Sequence, residues 1–315
     1  MKKIYLVSLV LCLCCVSQNA AGETGTTPAD GDGLTYSWVK IGNQYWMSEN
    51  LRTTKFMNGD AITNGYDLTA AQWFALLVQT NTTVDPPITV ATGTPAYTKH
   101  SDNTWLSTTD GFLYNWFAAT DSRKVCPTGW KVPSDGDFQI LEAYLGMPAG
   151  EIALVGTFAN TADRGVSATV GTKLKSADRS FAGTNDFGFN GLPSGCRNPT
   201  GAFGLFNGDM WLWATTENPD NNNQANRRVL RKTVVGINRD YAAKSGGFSI
   251  RCVKDLATSI DKISASAKAV STKIYTISGA PVRNNMETLA KGIYVKKTVY
   301  DNGQISVEKL IKKQD

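Results

Sequence analysis

All eight tryptophans of this 315-residue chain lie between Trp38 and Trp213. Tryptophan buries a large apolar area, so its distribution indicates where a substantial core can form. After Asp255 the composition changes to Ser, Ala, Lys and Thr, with Ile, Val and Tyr as the apolar residues. We therefore expect a main domain over residues 36–255 and a separate C-terminal unit over residues 256–315.

The first 22 residues have the three parts of a secretory signal peptide. Two lysines precede an almost unbroken apolar run over residues 4–16, and small residues follow at 20–22. The run of 13 residues falls short of the roughly 20 that a membrane-spanning helix needs. The pattern predicts export by the Sec route to the medium or the cell surface, with no transmembrane span.

Three cysteines in this segment raise the alternative of a lipoprotein. We favour it less, because a lipobox has Gly, Ala or Ser directly before its cysteine. None of these residues precedes Cys12, Cys14 or Cys15. The next residues, 23–35, are rich in Gly, Thr and Asp, and we expect a flexible leader there.

The net charge of +5 belongs to the two ends of the chain. Residues 253–315 carry 11 basic and 6 acidic residues, whereas residues 23–252 carry 19 and 21. We expect a local basic cluster to lie on an exposed strand face: Arg227, Arg228, Arg231 and Lys232. Because this cluster is small and no Gly-rich phosphate motif occurs, we expect no nucleic-acid partner.

The mature chain lacks the residues of several common catalytic sites. Cys126, Cys196 and Cys252 remain after the signal peptide and allow one disulfide in three pairings. His100 is the single histidine, which argues against a Ser-His-Asp triad, a Cys-His dyad and a Cys/His zinc site. Four carboxylates could supply a glycosidase pair, but no spacing selects two of them: Asp186, Asp209, Glu217 and Asp220. We therefore predict a protein that is not an enzyme, with a divergent hydrolase as an alternative.

Short strands and turns dominate the pattern of the main domain. Residues 38–41 and 44–47 alternate as two strands around a Gly-Asn turn and predict a hairpin. Residues 70–78 suit a short helix, and residues 80–98 are typical of a long loop. Residues 248–253 alternate as a last strand.

One helix, over residues 134–145, is strongly indicated. Ser134 is a good N-cap, and Asp137 stands near the positive end of the helix dipole. Three apolar residues recur at helical spacing and predict one buried stripe: Phe138, Leu141 and Leu145. Gly146 and Pro148 end the helix.

The C-terminal unit, residues 256–315, is predicted to be a small all-β domain, which we call the appendix. Strands are predicted over residues 273–277 and 292–300. A turn at 301–303 returns the chain as a hairpin over residues 304–311.

Seven blocks, in order, carry a resemblance to a known family: IGNQYWMSENL (41–51), GFLYNW (111–116), VCPTGWKVPS (125–134), TKLKS (172–176), DFGFNGLPSG (186–195), WATTE (213–217) and GFSIRCVKD (247–255). Together they make residues 36–255 resemble the Fibrobacter succinogenes major paralogous domain, known as FISUMP. The resemblance implies an α+β, C-type-lectin-like fold rich in loops and short strands. It also implies a Cys126–Cys252 disulfide, which would stabilise by on the order of 4 kcal/mol.

In lectin-like folds, sugar sites use calcium held by loop carboxylates and amides. The resemblance therefore makes segment 217–223, which is rich in carboxylate and amide oxygens, a candidate site. Calcium prefers such oxygen ligands, and we assign Asp220 and Asn222 as its weak candidate ligands. The candidate ligand-binding residues are Trp211, Trp213, Glu217, Asn218, Asp220 and Asn221. The alternative, which we favour, is an Asn-rich turn between two strands with both tryptophans in the core.

The appendix resembles the C-terminal sorting domain of the Bacteroidetes type IX secretion system. The similarity is carried by IYTISG (274–279), LAKGIYV (289–295) and KLIKK (309–313). It implies the type IX machinery as a partner. We expect the whole chain to be a non-catalytic cell-surface protein that functions in binding or adhesion. Its ligand would be a glycan or a surface protein. A structural surface component is the alternative.

Overall fold

The computed structural model describes residues 22–75, 79–81, 88–90, 93–100, 110–156, 163–178, 181–255, 268–276, 280–282, 290, 292–301 and 305–312. The predicted signal peptide, apart from Gly22, lies outside these residues. Across the described ranges, none of the helices is both long and apolar enough to cross a membrane.

Strands outnumber helices, consistent with the expected α+β class. The helices are α1 (Ala70–Ala75), α2 (Trp116–Thr120), α3 (Asp135–Tyr144), α4 (Ala149–Ile152) and α5 (Val170–Leu174). The strands of the main domain are β1 (Thr24–Thr26), β2 (Ser37–Ile41), β3 (Gln44–Met47), β4 (Thr63–Asn64), β5 (Gln79–Asn81), β6 (Ile88–Val90), β7 (Ala96–Thr98), β8 (Leu113–Tyr114), β9 (Trp130–Lys131), β10 (Ser194–Arg197), β11 (Phe203–Phe206), β12 (Asp209–Asn218), β13 (Asn221–Arg231), β14 (Asn238–Ala243) and β15 (Val253–Lys254). Those of the appendix are β16 (Ala269–Thr276), β17 (Pro281–Val282), β18 (Gly292–Tyr300) and β19 (Ile305–Lys312).

The first sheet brings the two ends of the main domain together, in the order β1-β2-β3-β15-β9. Strands β2 and β3 form the predicted hairpin, with Ile41 opposite Gln44. Gly42 in its turn has a φ of +61°, which glycine adopts without strain. Val253 of β15 pairs with Trp46 of β3, so the last strand lies beside the first hairpin.

The segment expected to be a flexible leader is partly ordered instead. Strand β1 pairs antiparallel with β2, from Thr24 opposite Val39 to Thr26 opposite Ser37. Asp30 is buried and accepts a hydrogen bond from the Tyr36 hydroxyl at 2.5 Å. The Gly- and Thr-rich composition indicated flexibility, but pairing with a strand further along the chain overrides it.

The second sheet has the order β11-β10-β12-β13-β14. Its centre is the long β12–β13 hairpin, which runs from Asp209 opposite Arg231 to Asn218 opposite Asn221. Successive side chains of a strand point to opposite faces. Trp211 and Trp213 therefore enter one hydrophobic cluster, whereas Met210 and Leu212 enter the other.

Helix α3 confirms the helix predicted over residues 134–145. The Ser134 hydroxyl accepts the Asp137 N–H, and the Asp137 carboxylate accepts the Ser134 N–H. This reciprocal capping box satisfies two free donors at the helix start. The predicted apolar stripe is buried, as expected: Phe138, Leu141 and Leu145. Gly146, with a φ of +95°, follows the helix end.

Residues 67–110 contain more regular structure than expected. Helix α1 lies within the predicted residues 70–78. The loop predicted over residues 80–98 is wrong where β6 and β7 form, and β7 pairs with both β4 and β8. Part of this stretch lies outside the described residues: 76–78, 82–87, 91–92 and 101–109.

The strand predicted over residues 248–253 is shorter than expected. Regular strand structure begins at Val253, whereas Phe248 and Ser249 form isolated bridges to Tyr114 and Leu212. The segment thus contacts several elements in turn and pairs continuously with none.

The appendix forms its own four-stranded antiparallel sheet, in the order β17-β16-β18-β19. Strand β18 spans the predicted residues 292–300, and β19 pairs back on it from Ile305 opposite Val299 to Lys312 opposite Gly292. The two predicted strands and the hairpin are therefore confirmed. The predicted turn residues 302–303 lie outside the described residues.

Candidate functional site

Trp211 and Trp213, the candidate ligand platform, lie in the core. Their exposed fractions are 5% and 0%. The Trp213 ring lies 4.3 Å from the Phe248 ring between centroids, and the Arg227 guanidinium lies 4.1 Å from the Trp211 ring centre. Both rings are covered by these core neighbours, which supports the packing alternative for both tryptophans over a sugar-stacking role.

The other candidate ligand residues come together at the tip of the β12–β13 hairpin: Glu217, Asn218, Asp220, Asn221 and Asn222. The Asn218 side-chain oxygen accepts the Asp220 N–H at 3.0 Å, and the Asn221 oxygen accepts the Asn223 N–H at 3.0 Å. Two oxygens suited to calcium are thus used by the turn itself. Within the described ranges, no three or more His, Cys, Asp or Glu side chains gather as a metal site would.

The structure does not bring the four carboxylates considered for glycosidase chemistry together as a catalytic pair. Asp209 begins β12 and Glu217 lies near its end, a separation of about 25 Å at roughly 3.3 Å per residue. A glycosidase pair needs roughly 5 to 10 Å. Glu217 forms an ion pair with Lys244 at 3.2 Å, while Asp186 and Asp220 are exposed in turns.

A cleft of about 340 Å³ opens beside the disulfide. This volume falls in the range of small-ligand sites, roughly 300 to 1,000 Å³. The lining has a buried apolar floor: Ala119, Val125, Cys126, Trp130 and Val132. It also has a more exposed polar rim: Thr120, Asp121, Lys124, Lys131, Thr215 and Asp255.

The charges of the rim differ in how they are paired. Asp121 accepts hydrogen bonds from Arg123 Nε at 2.9 Å and Nη2 at 2.8 Å. These bonds lower the pKa of the Asp121 carboxyl. Lys131 Nζ lies 3.1 Å from a carboxylate oxygen of Asp137. Lys124 is exposed, and no described carboxylate forms an ion pair with it.

A disulfide fixes the floor of the cleft. Cys126 and Cys252 are bonded with a Cα–Cα distance of 6.1 Å, which confirms the expected pairing. It ties the loop after α2 to the segment that enters β15. Cys196 is the remaining thiol of the described chain; it is buried, and burial raises its pKa to about 12.

Buried ion pairs hold helix α3 against the second sheet. The prediction of an exposed basic cluster is wrong for Arg227 and Arg228, which are 4% and 0% exposed. Arg227 binds Asp240 through Nε and Nη2 at 2.5 and 2.8 Å, and Arg228 Nε lies 2.6 Å from Glu142. Glu142 belongs to α3, 86 residues from Arg228, so the basic run alone could not show this partner. Asp240 lies on the adjacent strand β14, so the Arg227 pair stabilises the sheet itself. The other two members of the cluster are half-buried or exposed: Arg231 and Lys232.

The same helix supports one wall of the cleft. The Thr215 N–H donates to the Pro133 carbonyl at 2.9 Å, and the Asp135 N–H donates to the Thr216 hydroxyl at 2.9 Å. These bonds join the rim at Thr215 to the start of α3. The cleft is thus bounded by elements that ion pairs and a disulfide hold in place.

Sequence reasoning did not find the polar rim. It assigned Trp130 to the core beside the disulfide, and Trp130 is indeed only 6% exposed within the same cluster as Cys126 and Cys252. The signal that pointed here was the block of residues 125–134, which contains a cysteine and a tryptophan. The rim residues Thr215 and Asp255 lie in two other blocks of the resemblance, 213–217 and 247–255, whereas Asp121 lies outside the blocks.

Comparison with known proteins gives one family. The model of the Fibrobacter succinogenes major domain matches residues 39–254. No curated protein and no solved structure matches the chain.

Proposed function

Because the chain belongs to the Fibrobacter succinogenes major domain family, a family of cell-surface domains, we propose that it is exported to the surface and binds a ligand there without transforming it. The ligand class that the cleft fits best is a carbohydrate. The family match leaves the ligand open, so the proposal depends on the cleft and its lining.

The observation that carries the proposal is the division of the cleft into an apolar floor and a polar rim. Val125, Trp130 and Val132 provide the buried surface, while Thr120 and Thr215 contribute hydroxyl groups at the edge. A sugar ring has apolar C–H faces and hydroxyl groups around its edge. Small-ligand sites commonly combine such an apolar lining with a few polar groups that set orientation.

Binding without catalysis is supported by the state of the rim carboxylate Asp121. A general acid works best with a pKa near the operating pH. The Arg123 hydrogen bonds instead lower the pKa of Asp121, which keeps the group ionised. A divergent hydrolase remains the weaker proposal.

A C-type-lectin-like arrangement is part of the same proposal. In that fold the terminal strands pair and long loops carry the ligand. The pairing of β15 with β3 supports this arrangement, because it joins the end of the domain to its beginning.

A glycan array with a blocked cleft tests the proposal. Thr215→Trp places a large side chain in the cleft, whereas Thr233→Trp makes the same change at an exposed position outside it. We expect the first variant to lose at least tenfold in affinity for any glycan bound by the wild-type protein, and the second to bind normally. Equal binding by both variants would place the site elsewhere.

Repeating the array with EDTA and with Asp220→Ala tests the hairpin tip. Binding through the cleft should be unaffected by either treatment. Loss of binding in both would favour a calcium site at Asp220 and Asn222. Silence of the wild-type protein across the array would favour a protein ligand or a structural role.

For the appendix we propose sorting by the type IX secretion system. Its separate sheet supports this role, because strands β16 to β19 pair among themselves. A reporter fused to residues 256–315 should reach the cell surface in a type IX-competent host. A reporter that stays in the periplasm would contradict the proposal.

A further inference from the structure

The cleft contains one positive charge that has no ion-pair partner among the described residues. Asp121 is bound by Arg123, and Lys131 lies near Asp137. Lys124, on the same rim, has neither a carboxylate nor another acceptor from the described residues bound to its exposed amine. The ligand could therefore gain a charge-assisted contact at Lys124 without displacing an existing ion pair.

The backbone holds Lys124 firmly at this position. Its N–H donates to the Asp121 carbonyl at 2.9 Å, and its own carbonyl accepts the Met57 N–H at 2.9 Å. Its φ is +62°, a left-handed conformation that costs a non-glycine residue roughly 1–2 kcal/mol. A fixed backbone and a free amine place a positive group at the edge of the apolar floor.

Of the two acidic residues on the rim, Asp121 and Asp255, the one three residues from Lys124 is already neutralised: Asp121 is paired with Arg123. Arg123 contacts Asp121 and also Asp60, at 3.1 Å, so its guanidinium stands between two carboxylates. An incoming anion would thus meet Lys124 beside a compensated Asp121. A neutral sugar would leave the Lys124 amine in water and gain nothing from its charge.

We propose that the cleft selects acidic sugars, with the ring against the apolar floor and a carboxylate paired with Lys124. This inference rests on the proposed carbohydrate function and names its ligand class as hexuronic acids. Residues 23–252 carry 19 basic and 21 acidic residues, so no general positive field attracts polyanions. The charge preference should therefore come from this single contact.

Titration with tri-galacturonic acid and its methyl ester tests the inference. The two probes share rings and linkages and differ in charge. Isothermal titration of the mature protein should show roughly two- to fivefold tighter binding of the acid, because an ion pair with an exposed amine makes a modest contribution. Lys124→Met should reduce the affinity for the acid to that for the ester, and Lys124→Arg should retain most of it. Lys232→Met, at an exposed lysine outside the cleft, is the matched control and should bind as the wild type does.

Salt gives a second measurement. The preference for the acid should weaken between 50 and 500 mM NaCl in the wild type and be absent in Lys124→Met. Equal binding of acid and ester, unchanged in Lys124→Met, would overturn the acidic ligand class but leave carbohydrate binding intact. Failure of the acid to bind would overturn the inference, and the glycan array would then decide separately whether the cleft binds neutral sugars.

Discussion

Asp135, the first residue of α3, lies between two guanidinium groups. Arg228 and Arg239 approach its oxygens at 2.9 and 2.7 Å. Burial raises the pKa of this carboxyl, but the hydrogen bond from Arg239 and the charges of both arginines outweigh burial and lower it to about 2. In an unfolded chain the pKa is about 3.9. Asp135 therefore stabilises the fold above about pH 4, and this contribution is lost as the pH falls towards 2.

We predict that Asp135→Asn lowers the free energy of unfolding by about 2–4 kcal/mol at pH 6, because it leaves two buried arginines short of a partner. The deficit relative to the wild type should shrink between pH 4 and pH 2, where the wild-type carboxylate also becomes neutral. Urea unfolding at a series of pH values measures both effects. Asp186→Asn, at an exposed carboxylate, should change little at any pH. A deficit that stays constant down to pH 2 would contradict the assignment.

Cys196 shows a different consequence of burial. Only 4% of its surface is exposed, and its pKa is raised to about 12. Because the thiolate is the reactive form, we predict that iodoacetamide does not modify Cys196 at pH 8 in the folded protein but does so in urea. Peptide mass spectrometry after alkylation measures the modified fraction. Rapid labelling without denaturant would mean that this part of β10 opens readily.

At the scale of elements, the disulfide links the segments that lead into β9 and β15, which pair in the first sheet. The sequence separation of Cys126 and Cys252 is 126 residues, and closing so long a loop restricts the unfolded chain strongly. Replacing both with serine should lower the free energy of unfolding by about 4 kcal/mol. Urea unfolding of the oxidised wild type against this double variant measures the loss, with Cys196→Ala as a control for removing a buried sulfur without breaking the bridge. A loss below about 1 kcal/mol would show that the main domain does not depend on the bridge.

An element was predictable from the sequence where its caps, turn and apolar pattern all lie within one short segment. Helix α3 has its cap, its apolar stripe and its terminating glycine within one short segment, and the β2–β3 hairpin has its turn between its own strands. Strand β1 was missed because its partner, β2, lies across an intervening turn-rich segment. Arg228 was placed on the surface for a similar reason, since its buried partner Glu142 belongs to α3.

The cleft could not be predicted in the same way. Its rim combines Asp121, Thr215 and Asp255, which become neighbours only through the packing of α2, β12 and β15. The blocks of family resemblance identified Cys126 and Trp130, and a family pattern can reveal such core positions. The same blocks also contain the rim residues Lys131, Thr215 and Asp255, but no spacing shows that these side chains face one cleft, so the tertiary structure was needed to find it.

At the scale of the whole molecule, the hydrophobic clusters belong to the main domain. Every described residue in them lies within residues 34–253, and none comes from β16 to β19. The strands of the appendix pair within their own sheet. The structural basis of the cleft is therefore contained in the main domain.

We predict that a chain ending at Asp255 folds by itself, because it retains β15 and its pairing with β3 and β9. Its thermal midpoint should lie within a few degrees of that of the full mature chain, and it should retain any ligand affinity of the cleft. A chain ending at residue 246 is the matched control: it loses β15 and Cys252, hence the terminal pairing and the disulfide, and should not unfold cooperatively. Differential scanning calorimetry distinguishes these outcomes. If the chain ending at Asp255 also lacked a cooperative transition, the appendix would be part of the folding unit.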